Sequence, residues 1–342
     1  MTSIKRRHIL TLSLSTVASF AYKSFASTHE ATSNALDLAQ ANPGSTNTGK
    51  NASKLRLGFQ PPYVTVFAMR EQKLLEKAFE GQPTSFEYRR LLSLKPVTEA
   101  LAAGALDLGL GGTPIPALAA GLPIRIIALI ERSPKTHALL VRPDSPIKNI
   151  KDLKDKKIGT PTGRSHLLVV RVLESIGLKD TDVKWVQLEK DVGRAALLSG
   201  AIDVWATWDP FYASVQVAKE AIAIVDGTQY VLNYVALFGR TEYIEQNPDT
   251  VRRFLKAYQQ AVNWVKQNRQ KAVEILVREN KLAPEAAALT LSRRNILLQP
   301  PNQEYRTDLA NQAKLLVRLG LIKQEPDWSQ VIDTKFAASI RT

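Results

Sequence analysis

The chain has 342 residues, 46 Lys and Arg against 32 Asp and Glu, a formal charge of +14, four histidines and no cysteine. The missing cysteines exclude a disulfide framework, a thiolate zinc site, an iron–sulfur cluster and a cysteine nucleophile. At 44% hydrophobic and 23% charged residues the composition is that of a globular protein with length for two lobes of about 100 to 150 residues each; the charge leaves nucleic acid, a membrane surface or a small anion as candidate partners.

Lys5-Arg6-Arg7 precede a short apolar run over 9–21, and Ser24-Phe25-Ala26 offers small residues at peptidase spacing. These parts read as a secretory signal peptide over 1–26. The run is too short and too rich in Ser and Thr for a spanning helix, and Arg6-Arg7-His8-Ile9-Leu10 leaves both the Sec and the twin-arginine export routes open. No cysteine follows the cleavage site, so a bacterial lipoprotein anchor is excluded. The signal carries Lys5, Arg6, Arg7 and Lys23 and no acid, so its removal lowers the charge from +14 to +10. Residues 27–53, rich in Ser, Thr, Asn, Gly and Ala, read as a flexible leader. His8 and His29 go with these segments; His137 and His166 remain, too few for a multi-histidine metal centre.

From Lys54 onward, apolar runs alternate with amphipathic stretches. Strands are expected over 55–59, 86–88, 106–110, 124–130 and 138–141, with helices over 67–79 and 96–103. A second unit of similar grammar has strands over 157–160, 183–186, 202–206 and 222–225 and helices over 166–176 and 192–199. Such alternation predicts an α/β fold with crossover helices. Ala103-Gly104-Ala105-Leu106-Asp107-Leu108 and Ser199-Gly200-Ala201-Ile202-Asp203-Val204 form a weak internal repeat, consistent with two similar lobes. After a strand over 235–238, helices are expected over 248–268, 270–280, 284–291 and 304–319, so that one lobe is discontinuous and completed by late helices.

Three stretches could carry chemistry. Gly109-Leu110-Gly111-Gly112-Thr113-Pro114 follows a strand and opens a helix, with Thr113 as N-cap and Pro114 at N1; such a start is either an anion site or merely a capped helix. Gly159-Thr160-Pro161-Thr162-Gly163-Arg164-Ser165-His166 departs from a P-loop in spacing and in having Arg164 where the lysine belongs. It leaves a second helix start with Ser165 as N-cap, Arg164 as a nearby cation, and His166 either donating to an anion or structural. Ala206-Thr207-Trp208-Asp209-Pro210-Phe211 leaves a strand at the end where α/β folds bind ligands, which singles out Trp208 and Asp209 over Trp205, inside the strand. Gln60 holds an equivalent strand end. No serine-hydrolase elbow and no His-Glu-x-x-His occur. Arg89-Arg90, Arg252-Arg253 and Arg293-Arg294 are scattered among acids and read as solvated helix faces, not a nucleic-acid module.

These segments, with Asp144-Ser145-Pro146-Ile147-Lys148-Asn149-Ile150-Lys151-Asp152-Leu153-Lys154 and Asp226-Gly227-Thr228, resemble periplasmic solute-binding proteins of ABC importers, specifically the aliphatic sulfonate and taurine group with its nitrate and bicarbonate relatives. The resemblance covers nearly all of residues 54–300. It implies a type II periplasmic-binding-protein fold: two α/β lobes, 54–140 plus 239–342 and 141–238, joined by a hinge near 139–143 and 237–242, with a ligand cleft between them. On that basis Gln60, Gly112, Thr113, Gly163, Arg164, Ser165, His166, Trp208 and Asp209 map to the cleft. The resemblance also implies a periplasmic monomer without a cofactor or metal, partnered by an alkanesulfonate or taurine-like anion and by the permease and ATPase of an importer, and not an enzyme. Gly111-Gly112-Thr113 replaces the family's usual Thr-Gly-Asp, and Arg164 stands where a small residue is common, a change that suits a doubly charged or planar anion. One helix N-terminus contributes about 0.3 to 2 kcal/mol to an anion, whereas micromolar capture needs about 8 kcal/mol, so several converging donors are required. Nitrate, bicarbonate or a pyrimidine-like ligand, and an enzyme on the same fold, are the alternatives; the related pyrimidine-precursor synthases use a cysteine-rich motif that this chain lacks.

Overall fold

The computed structural model describes residues 53–340 apart from 92, 163–165, 190 and 191, so the expected signal peptide and nearly all of the leader lie outside the described residues. Strand β1 (Ser53–Phe59) leads through α1 (Val64–Glu71) and α2 (Leu74–Ala78) to β2 (Thr84–Arg90). The apolar spacing predicts one helix over 67–79; Lys73 instead adopts a left-handed conformation, φ +51°, and breaks it in two. Then follow α3 (Leu94–Ala102), β3 (Leu108–Gly112), α4 (Ile115–Ala119) and β4 (Ile124–Arg132). The middle of the chain supplies β5 (His137–Val141), β6 (Lys157–Thr160), α5 (Leu167–Ser175), β7 (Lys184–Gln187), α6 (Gly193–Leu198), β8 (Val204–Trp208), α7 (Phe211–Val217) and β9 (Ile222–Asp226). The rest is β10 (Tyr234–Arg240), α8 (Thr241–Gln246), α9 (Pro248–Gln267), α10 (Arg269–Asn280), α11 (Pro284–Ser292), β11 (Ile296–Gln299), α12 (Gln303–Arg318), α13 (Trp328–Val331) and α14 (Lys335–Ala338). Strand β11 fills the stretch left open between the helices expected over 284–291 and 304–319, where Ile296 to Gln299 complete the edge beside β4.

These strands form two sheets, ordered β11-β4-β10-β3-β1-β2 and β7-β6-β8-β5-β9. Each contains a parallel unit with its first strand in the middle, β2-β1-β3 and β7-β6-β8, as right-handed crossovers through helices dictate. The antiparallel strands β10 and β5 then join β3 and β8. The internal repeat has a physical basis here. Asp107 accepts the Arg56 N–H at 2.8 Å and Asp203 accepts the Lys157 N–H at 2.7 Å, each bracing its third strand to the start of the first.

Helices cover both faces of each sheet. On the first sheet, α1, α9 and α10 bury Val66, Phe67, Phe254, Tyr258 and Ile275 on one face, and α3 and α12 bury Val97, Leu101, Tyr305 and Leu309 on the other. The stripe Val251, Phe254, Leu255, Tyr258, Ala261, Val262 and Val265 makes α9 the main cover; each large apolar side chain contributes about 1.5 to 3 kcal/mol. Gly109 is required in β3, since a Cβ there would sit 2.7 Å from Val97 and 2.9 Å from the Phe238 ring. The second sheet is covered by α5 on one face and by α6 and α7 on the other. No helix among the described residues is long and apolar enough to cross a membrane.

The chain passes between sheets at residues 133–136 and 227–233, which corrects the hinge segments expected at 139–143 and 237–242. Leu139 lies inside β5 and Leu237 inside β10, both fully buried, so the changes of direction fall just before β5 and before β10. The two crossovers are tied together. Asn233 Nδ2 donates to Ser133 O and to Thr136 Oγ1, each at 2.9 Å, and Ser133 N donates to Asn233 O at 3.1 Å. Gly227 allows the approach, because a Cβ there would stand 2.3 Å from Pro134 O.

Candidate functional site

The strand ends of the two parallel units face each other. Gly112 and Thr113 at the end of β3 and Trp208 at the end of β8 line a cleft of about 290 Å³, with Thr162 and the start of α5 (His166, Leu167, Leu168), His137 at the start of β5, Val231 and Asn233 of the second crossover, and Tyr234, Tyr305 and Gln312. A larger concavity of about 630 Å³ runs along β9, but its lining from Pro143 to Asp226 comes from the second lobe alone and lacks the convergence of two strand ends that α/β sites use.

Gly112, Thr113, His166 and Trp208, singled out from the sequence, meet in this cleft. Gly163, Arg164 and Ser165 lie outside the described residues, between Thr162 and His166. Gln60 does not line the cleft; it is partly buried below, where Tyr63 OH donates to its Oε1 at 3.5 Å. Asp209 does not line it either. It is fully buried, with Oδ1 accepting the Ala213 N–H at 3.0 Å and Arg293 Nη1 at 2.9 Å. Two capping expectations also change. Helix α4 begins at Ile115 with Pro114 as N-cap, and Thr113 Oγ1 instead shares a 2.6 Å hydrogen bond with Tyr305 OH. The N-cap of α5 is His166, not Ser165, and its side chain makes no capping bond. The first N–H groups of α5, at Leu167 and Leu168 on the cleft wall, therefore present the positive end of the helix.

The wall is electrically neutral among its described residues: its lining includes no Asp, Glu, Lys or Arg. Burial holds His137 down to about 3 and His166 down to about 4, so both rings are uncharged at neutral pH. The Thr136 hydroxyl donates to Ser133 O at 2.7 Å, so at 3.2 Å from His137 Nδ1 it accepts, which makes Nδ1 the protonated nitrogen. His166 Nδ1 is buried without a hydrogen-bond partner. Burial raises the Tyr305 phenol further above its ordinary range, so it remains a neutral donor.

Charge is gathered behind the wall. Arg294 Nη1 donates to both Glu131 oxygens, at 2.9 and 2.8 Å, with both side chains only 5% exposed. Arg293, following α11, reaches from the first lobe into the second: it pairs with Asp209, donates to Gln216 Oε1, and lies 3.7 Å from the centroid of the Tyr212 ring. These two residues correct the reading of Arg293-Arg294 as a solvated helix face; their partners Glu131 and Asp209 are distant in sequence and supply buried countercharge. Burial pushes Asp209 up to about 6, against the pull of Arg293 and Arg294. By contrast Arg252 pairs with Asp249 on an exposed face. Sequence reasoning missed His137, Asn233, Tyr234, Tyr305 and Gln312. For the last two a signal existed: Tyr305, Leu309, Gln312 and Ala313 fall on one stripe of α12, and a glutamine on an otherwise apolar stripe marks a wall that turns polar. No cluster of three metal-ligating side chains occurs among the described residues.

The family profile described as NMT1/THI5 like matches residues 94–272. An Escherichia coli (strain K12) protein named for binding aliphatic sulfonates is 30% identical over 284 residues, covering 81% of this chain and 88% of its own. The crystal structure of the periplasmic aliphatic sulphonate binding protein SsuA from Escherichia coli superimposes with a TM-score of 0.76 at 27% identity, covering 82% of this chain and 92% of that one. The 4-amino-5-hydroxymethyl-2-methylpyrimidine phosphate synthase THI5 of Saccharomyces cerevisiae is 24% identical over 185 residues, 49% of this chain and 54% of its own.

Proposed function

Since this chain belongs to the NMT1/THI5-like family and has the periplasmic-binding-protein fold of SsuA, we propose that it is the exported substrate-binding component of an ABC importer, capturing a small organic anion, an aliphatic sulfonate, between its lobes for delivery to the permease. The observation that carries this reading is the combination, on one cleft, of the start of α5 with neutral donors, the Thr113–Tyr305 hydroxyl pair and the Gln312 amide, and no carboxylate among the described lining residues. Neutral donors and a helix N-terminus bind an anion without a fixed countercharge. A wall with no carboxylate among its described residues gives an ammonium group no countercharge, so within the class the cleft suits a sulfonate with an uncharged tail over a zwitterion such as taurine. Gly163, Arg164 and Ser165 complete the anion clamp in this proposal. A thermal-shift screen over alkanesulfonates, taurine, nitrate, bicarbonate, phosphonates and pyrimidines tests the ligand class; stabilisation by nitrate or bicarbonate alone would overturn it. In calorimetry, Arg164→Ala and Ser165→Ala should each weaken sulfonate binding without lowering the melting temperature, and unchanged affinity in both sinks the clamp.

The match to the synthase across 49% of the chain favours a pyrimidine as the second reading. The absence of cysteine weighs against synthase chemistry, as that group uses a cysteine-rich motif. Product analysis after incubation with a stabilising compound decides between capture and turnover.

A further inference from the structure

Resting on the sulfonate-binding reading, we propose that the organic part of the ligand is an aromatic ring, held against the His137–Trp208–His166 wall with its sulfonate at the start of α5. The three rings come from separate elements, the start of β5, the end of β8 and the N-cap of α5, and line one cleft. Trp208 is tilted 32° from His137 at 5.6 Å between centroids and 26° from His166 at 6.3 Å. A cleft lined by such rings offers aromatic surface against which a flat ring packs, face on or edge on. Because burial keeps both imidazoles neutral, the wall offers π surface and not charge. Tyr234 and Tyr305, edge to face at 5.3 Å and 74°, line the same cleft from the first lobe. Aromatic rings thus come from both lobes, whereas the aliphatic lining among the described residues is Leu167, Leu168 and Val231.

The geometry also fixes a direction. His166 is followed by Leu167 and Leu168, whose N–H groups are the first of α5, so an anionic head at the helix start leaves the attached ring beside His166 and Trp208. His166 Nδ1 is buried and has no hydrogen-bond partner among the described residues. An unbranched alkyl tail in the same place would lose more rotamer freedom and gain no stacking.

Titration calorimetry of the mature chain with benzenesulfonate and with 1-hexanesulfonate, equal in carbon number, tests this. Benzenesulfonate should bind about ten-fold more tightly, and Trp208→Leu should bring the ratio to about one. Hexanesulfonate binding as tightly or more tightly in the wild type overturns the aromatic inference and leaves the sulfonate reading standing; no heat with either compound overturns the sulfonate reading itself. Should Trp208→Leu fail to fold, proton spectra of benzenesulfonate with the wild-type protein carry the decision: ring-current upfield shifts of its aromatic protons support stacking, and unshifted resonances on a bound ligand refute it.

Discussion

In the first lobe β2-β1-β3 and in the second β7-β6-β8 follow one plan, down to an aspartate that accepts a backbone N–H of the first strand, yet their electrostatic surroundings diverge. Asp107 is fully buried and surrounded by cations: Arg56 donates to it from Nε at 3.0 Å and from Nη2 at 2.7 Å, and Arg240 stands 3.7 Å away. Asp203, on an exposed turn, braces Lys157 N–H. The first lobe thus gathers buried charge both at the foot of its parallel unit and, with Glu131 and Arg294, behind the cleft wall, whereas the second has its buried acid, Asp209, behind that wall alone. The shared hydrogen bond belongs to the fold; the added charges differ with what each lobe must hold.

Substitutions can break that contrast, beginning where the effect is greatest. Asp107→Ala leaves Arg56 without its buried partner and should cost about 4 kcal/mol in urea unfolding. Acid should act on the other lobe. His166 is held at about 4 against an ordinary 6.5, so its contribution to stability is complete above pH 6.5 and is lost as pH falls through 4, because the unfolded chain then binds the proton more readily. That loss is about 3 kcal/mol, and His166→Gln should reduce the fall in stability between pH 6.5 and 4 by that amount in melts at each pH, while His137, held down to about 3, keeps its own share. Arg293→Ala removes the partner of Asp209 and the cation over Tyr212; with a little solvent reaching the arginine, about 2 kcal/mol is expected, together with an increased radius of gyration in X-ray scattering as the lobes separate. Asp203→Ala removes one brace at an exposed turn and should cost about 1 kcal/mol in urea unfolding. Equal losses from Asp107→Ala and Asp203→Ala would show that the backbone brace, not the charge, dominates in both lobes.

Much of this was legible because local patterning and the fold agree. The small-Gly-x-x-Asp turns announced equivalent third strands, and the apolar stripe of α9 marked its buried face. What the sequence hid depended on distance. Arg293 and Arg294 look like surface cations until Asp209 and Glu131, 84 and 163 residues away, supply buried countercharge. Lys73 carries no breaker signature, and only its φ shows the split between α1 and α2. Trp208 and Asp209 are adjacent, but one faces the cleft and the next turns inward at the end of β8, so one motif yields a wall residue and a tie between lobes. His137 had no local mark, since its place is set by a strand pairing that puts it opposite Trp208.

Strand β10 has a consequence for how the chain comes to exist. It lies in the interior of the first sheet, between β3 and β4, but emerges only after the whole second lobe has been made. Until residues 234–240 arrive, β3 lacks its antiparallel neighbour and β4 has no bond to the parallel unit, so residues 53–132 cannot close their sheet however long they wait. Long-range pairing of this kind is slow to form. For the exported protein proposed above that delay is useful: residues 53–132 wait for β10, and an unfinished sheet is still a thread that can be passed through a narrow channel.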